Sequence, residues 1–81
     1  MLSDRRAVSE GIQVSARNQL SGRIAALTAD GVMAEVVVQI GDQELVAIIT
    51  RASVERMRLS VGDRVLAVIK STEVMIGKAG S

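Results

Sequence analysis

From Leu20 onward the chain runs in short apolar-rich, β-branched stretches separated by Gly-Asp or Asp-Gly pairs. That pattern predicts strands joined by tight turns. Leu20 to Thr28 reads as a first strand, with Gly22 a candidate bulge. Asp30-Gly31 signals a turn, and Val32 to Ile40 reads as a second strand. In it Ala34, Val36, Val38 and Ile40 share one face, while Glu35, Val37 and Gln39 share the other. Gly41-Asp42 makes a two-residue hairpin turn into a return strand, Gln43 to Ile49. Thr50 then offers an N-cap to a short helix over Arg51 to Arg58, with Val54, Met57 and Leu59 as its apolar side. Gly62-Asp63 turns the chain again, and Arg64 to Lys70 and Val74 to Lys78 are the last two predicted strands. Residues 1–13 stand apart as an N-terminal extension. A frayed or disordered tail is the default there, with Ala7, Val8 and Ile12 on one side of a short helix as the weaker alternative.

The order β-β-β-α-β-β gives an all-β class. Five strands with a helix after the third suit a small OB-like barrel formed by residues 14–81. Leu45-Val46-Ala47-Ile48-Ile49 is apolar on both faces, and one short helix covers only a fraction of that surface. The outward face therefore calls for another subunit. Size points the same way, because 81 residues make a marginal core. Small domains are usually stapled by disulfides, a metal or a partner chain. With no Cys and no His, disulfides and the usual zinc sets are excluded, so oligomerisation is the staple that remains.

Composition narrows the partners. There is no Phe, Tyr or Trp on which bases could stack, and ten basic against nine acidic residues leave a net charge of +1. Both count against nucleic acid. The longest apolar runs, Leu45 to Ile49 and Val65 to Ile69, fall far short of the ~20 residues of a membrane span. Met1 to Gly11 lacks the apolar core of a secretory signal, so a cytoplasmic protein is expected.

Without His or Cys, nucleophile–base arrangements cannot be assembled, no Gly-rich phosphate loop appears, and the carboxylates are scattered. An enzyme is not expected, and neither is a catalytic cofactor. What the chain does contain is a kit of anion donors. Ser15-Ala16-Arg17-Asn18 offers a hydroxyl, a guanidinium, a carboxamide and backbone N–H groups ahead of the first strand. Thr50 and Ser53 stand at the helix start, where N–H groups lack intrahelical partners. Lys70 and Ser71 stand where a strand ends. Several N–H and O–H donors with one or two cations would hold a tetrahedral dianion. Each residue also has a plainer reading: Thr50 as a cap, Arg17 as a solvated surface group, Lys70 as an edge residue, Asn18 as a turn former.

Two strings tip the balance. Ser15-Ala16-Arg17-Asn18-Gln19-Leu20-Ser21-Gly22 resembles the opening of the molbindin family, the small molybdate-binding Mop domains. Ile69-Lys70-Ser71-Thr72-Glu73-Val74-Met75-Ile76 resembles the same family's close. Ala34-Glu35-Val36-Val37 and Ile48 to Val54 fall between them in order, so the resemblance runs from about Val14 to Lys78. It implies OB-like barrels that pair by exchanging strands and assemble as homohexamers, trimers of dimers. It also implies molybdate or tungstate held between subunits, touched through its oxygens with no direct metal ligation. By that likeness Ser15, Ala16, Arg17 and Asn18 of one chain face Lys70 and Ser71 of a neighbour, with Thr50 and Ser53 nearby.

Family domains occur as free-standing stores, as sensing domains of molybdate-responsive regulators, and behind importer ATPases. The chain opens with Met and carries neither a helix-turn-helix nor a P-loop, so storage is the favoured expectation. A purely structural OB-like oligomerisation module is the alternative from another class.

Overall fold

The computed structural model describes residues 14–80, so the expected tail, residues 1–13, lies outside the described residues. Four strands form one antiparallel sheet: β1 Asn18–Asp30, β2 Met33–Ile40, β3 Gln43–Thr50 and β4 Arg64–Ile69. A helix, α1 Arg51–Met57, follows β3, and a 3₁₀ turn, Ser71–Glu73, follows β4. The sheet order is β3-β2-β1-β4. The long first strand is shared: its first part, Asn18 to Arg23, pairs with β4, and Arg23 to Asp30 pairs with β2.

Turn chemistry sets the register. Gly31 and Gly41 open two-residue loops at φ +65° and +61°, which pair Asp30 with Met33 and Ile40 with Gln43. A glycine with positive φ at the first loop position matches the twist of the flanking strands. The first turn falls one residue later than the Asp30-Gly31 expectation, so β2 begins at Met33.

The expected inner face of β2 holds. Ala34, Val36 and Val38 are buried, and Ile24 of β1 is the most deeply buried side chain. Leu27, Ile40, Leu45, Ala47, Ile49, Leu59 and Val65 pack around them. The other face of β3 is open, with Val46 54% and Ile48 58% exposed.

Three expectations need correction. Gly22 is no bulge; the irregularity lies between Ile24 and Ala26, and Gly22 keeps ladder register opposite Val65. What Gly22 provides is room: a Cβ there would lie 2.5 Å from the Gln39 carbonyl oxygen and 2.7 Å from Val38 Cγ1. The sheet therefore curls tightly at this point. The fifth strand, Val74 to Lys78, is absent among the described residues, because the 3₁₀ turn diverts the chain after Ile69 and residues 74–80 join no ladder. The architecture is thus four strands and a helix in a curled half-barrel. Met57, placed on the apolar side of the helix, is 60% exposed, while Val54 and Leu59 are half-buried as expected.

Candidate functional site

The β1–β4 ladder puts Asn18 opposite Ile69. The segment entering β1 and the segment leaving β4 therefore emerge side by side, and the two ends of a short sequence meet. Between them lies an open hollow of about 450 Å³ lined by Val14, Ser15, Ala16, Arg17, Val68, Lys70, Ser71 and Thr72. Five of the eight expected site residues are here: Ser15, Ala16, Arg17, Lys70 and Ser71. The resemblance set the two groups on neighbouring chains; here they face each other within one chain.

The hollow combines an apolar surface with residues that carry donors. Arg17 and Lys70, on the two segments, bear its cations, and Ser15, Ser71 and Thr72 bear hydroxyls. Among the described residues no carboxylate lines it. Ser15, Arg17, Lys70, Ser71 and Thr72 are exposed, and Ala16 is half-buried. The Gln19 carboxamide donates from Nε2 to the Ala16 carbonyl oxygen at 2.8 Å, folding the entering segment back on β1. On the other wall Glu73 N–H donates to Lys70 O at 2.9 Å and closes the 3₁₀ turn that carries Ser71 and Thr72. Among the described residues no group of three or more His, Cys, Asp or Glu side chains could hold a metal ion.

The other expected residues lie elsewhere. Asn18 is the first ladder residue and does not line the hollow. Thr50 pairs with Met33, which in turn pairs with Asp30 at the far end of β1. Twelve steps separate Asp30 from Asn18, roughly 40 Å along an extended strand. Thr50 and Ser53 of the same chain thus belong to a second corner. There Thr50 is the helix N-cap: its Oγ1 accepts from Ser53 N–H at 3.1 Å and donates to Ser53 Oγ at 2.8 Å. The helix start is also tied to the first hairpin by Arg51 N–H donating to Val32 O at 2.7 Å. Sequence reasoning did not single out Thr72, Val14 and Val68. Thr72 stands inside the closing motif beside Ser71 and could have been included; the two valines carry no chemical signal and join the hollow only through the fold.

A family model described as the TOBE domain matches residues 14–76. The chain belongs to the TOBE-domain family. This TOBE domain is 44% identical over 66 residues to molybdenum-pterin-binding protein 2 of Clostridium pasteurianum, covering 80% of this chain and 97% of that protein. It is 39% identical over 69 residues to the molybdenum transport protein ModE of Azotobacter vinelandii, covering 84% of this chain but only 26% of that longer protein. Its fold matches a molybdate binding protein from Sporomusa ovata with a TM-score of 0.79 at 37% identity, over 83% of this chain and all of the other. MopII from Clostridium pasteurianum matches with a TM-score of 0.77 at 43% identity, over 82% of this chain and all of the other. The resemblance carried by the two end motifs of the TOBE domain is borne out.

Proposed function

We propose that this chain binds molybdate or tungstate in the hollow between Ser15–Arg17 and Lys70–Thr72 and serves as an intracellular store of the oxyanion. The observation that carries the reading is the meeting of two cationic and three hydroxyl residues in a hollow that no carboxylate of the described residues lines. Relatives named for molybdate or molybdenum-pterin binding, with sequence likeness over most of this chain, support it. Arg17 and Lys70 would balance the dianion's charge, and hydroxyl and backbone donors would fix its oxygens. The protein would touch oxygens only, and relatives named for molybdate or molybdenum-pterin binding support a binding role.

Size supports a completed site at a subunit junction. A five-atom oxyanion occupies on the order of 60 Å³, about two waters' share of liquid volume. The hollow is several times larger and open, so one chain alone cannot enclose the ion. The Thr50–Ser53 corner of a second copy has the hydroxyls to finish it, and the exposed faces of β3 and of Val74 to Ile76 give that copy an apolar surface to meet. Strand exchange and a hexamer, implied by the end motifs, would use that surface, and ligand would then stabilise the assembly by mass action. A cytoplasmic setting fits a store, and no helix among the described residues is long and apolar enough to cross a membrane.

Isothermal titration with molybdate, with sulfate as control, tests the reading. Arg17→Ala and Lys70→Ala should each weaken binding about ten- to a hundredfold, the loss of one charge-assisted hydrogen bond, and leave the fold intact. Unchanged affinity in both variants rejects the site; no binding by the parent protein leaves a structural module. A second reading, a sensing domain within a longer regulator or molybdenum-transport protein, draws on the match to one quarter of a longer relative named as a molybdenum transport protein. Molybdate-dependent change in assembly, rather than occupancy alone, would mark it.

A further inference from the structure

We infer that Gln19 is the positioning residue of the hollow: its carboxamide captures the Ala16 carbonyl so that donors, and not an acceptor, face the bound anion. The inference rests on the oxyanion reading of the hollow. Ser15, Ala16 and Arg17 all lie before the first ladder residue, so strand pairing does not fix their orientation. Gln19 is inside the ladder, paired with Val68, which is itself a wall of the hollow. From that fixed base its Nε2 reaches back three residues to the Ala16 oxygen, 2.8 Å away in a partly buried contact. One side chain thus ties the loose entering segment to the strand that leads into Lys70.

Electrostatics says why this carbonyl is the one to hold. Ala16 lines the hollow, and its C=O carries the negative end of a peptide dipole. Left to swing, it would set an acceptor beside a dianion that can only accept. Held by Gln19, its direction is fixed toward the carboxamide. The chain has no cis peptide among the described residues, and in a planar trans unit the C=O and the following N–H point in opposite directions. The Arg17 N–H therefore points away from the Gln19 carboxamide. The same bond that restrains an acceptor also fixes the direction of the next backbone donor.

The test is titration of the full chain with molybdate, comparing the parent with Gln19→Met, which keeps the length and removes the donor. Affinity should fall about five- to tenfold, the effect of one lost hydrogen bond. The effect should couple to Arg17→Ala, being smaller when Arg17 is already removed, yet add independently to Lys70→Ala on the other wall. General loosening of the domain would couple to both alike and overturns the inference. So does unchanged affinity in a folded Gln19→Met protein. If circular dichroism shows that variant unfolded, Gln19→Leu replaces it, since it is uncharged, suits a strand and has no donor; weaker binding with the same selective coupling to Arg17 supports the assignment, and parent-like affinity overturns it. A parent protein that takes up no molybdate rejects the site itself, whereas a parent that binds beside an unaffected Gln19 variant rejects Gln19 alone.

Discussion

Gly22 packs its bare Cα against the backbone of Gln39 and the side chains of Val38 and Ile40. A methyl group there meets a carbonyl oxygen that cannot rotate aside, so the strands must part. Gly22→Ala should destabilise the domain by about 1–3 kcal/mol, the usual cost of overpacking, seen as a lower midpoint in urea unfolding. Its role was half legible in the sequence: an isolated glycine in a strand pattern signals a bulge or a close approach, and the alternation alone does not choose between them. The same limit applies to the site. Arg17 and Lys70 could be singled out as cations near strand ends, and the end motifs grouped them; that both line one hollow follows from Asn18 pairing with Ile69, a register no local pattern encodes.

Elements were more legible than residues where turn chemistry is strong. Both Gly-opened hairpins, the Thr50 cap and the inward stripe of β2 follow from side-chain size and allowed φ. The helix ends at Arg58, which adopts φ 54° while its N–H and that of Leu59 bond back to Glu55 and Val54. The apolar run at the start of Val74 to Lys78 predicts a fifth strand, yet such a run becomes a strand only beside a free edge, and the turn at Ser71–Glu73 leads it out of the ladder. At this scale Thr50 allows a clean separation of roles. Thr50→Ala removes the cap and should cost about 1 kcal/mol of stability by thermal unfolding. If it also weakens molybdate uptake in proportion to Ser53→Ala, the corner belongs to the binding site as well.

For the whole molecule, the buried core is a single patch centred on Ile24, Val36 and Val38, and much apolar surface stays outside it. Val46 and Ile48 on β3, and Met75 and Ile76 at 90% and 91% exposure, are part of that excess, together with Val32, Met57 and Val61. A surface of this kind predicts self-association: sedimentation should report a mass well above 8.6 kDa. Ile48→Lys, which sets a charge in the middle of the outer face, should shift the protein toward monomer and lower its unfolding temperature. A monodisperse, stable monomer of the parent chain would reject the assembly proposal.

β1 takes part in two of the three ladders of the sheet, and these share one paired residue. Arg23 pairs with Gln39 on one side and with Arg64 on the other. Ile24 adds a second tie, pairing with Val38 while exchanging backbone hydrogen bonds with Gly62 and Asp63. Units joined over so short a stretch can open separately, as cooperative subunits of a domain often do. The unit made of β4 and the first part of β1 ends in the hollow, while the β2–β3 hairpin is anchored by the core and the helix. An anion gripped between Arg17 and Lys70 would act as a clasp on the first unit alone. Deuterium uptake would then slow at residues 18–23 and 64–69 on loading and stay level in the hairpin, making the backbone amides of one short ladder a built-in gauge of occupancy.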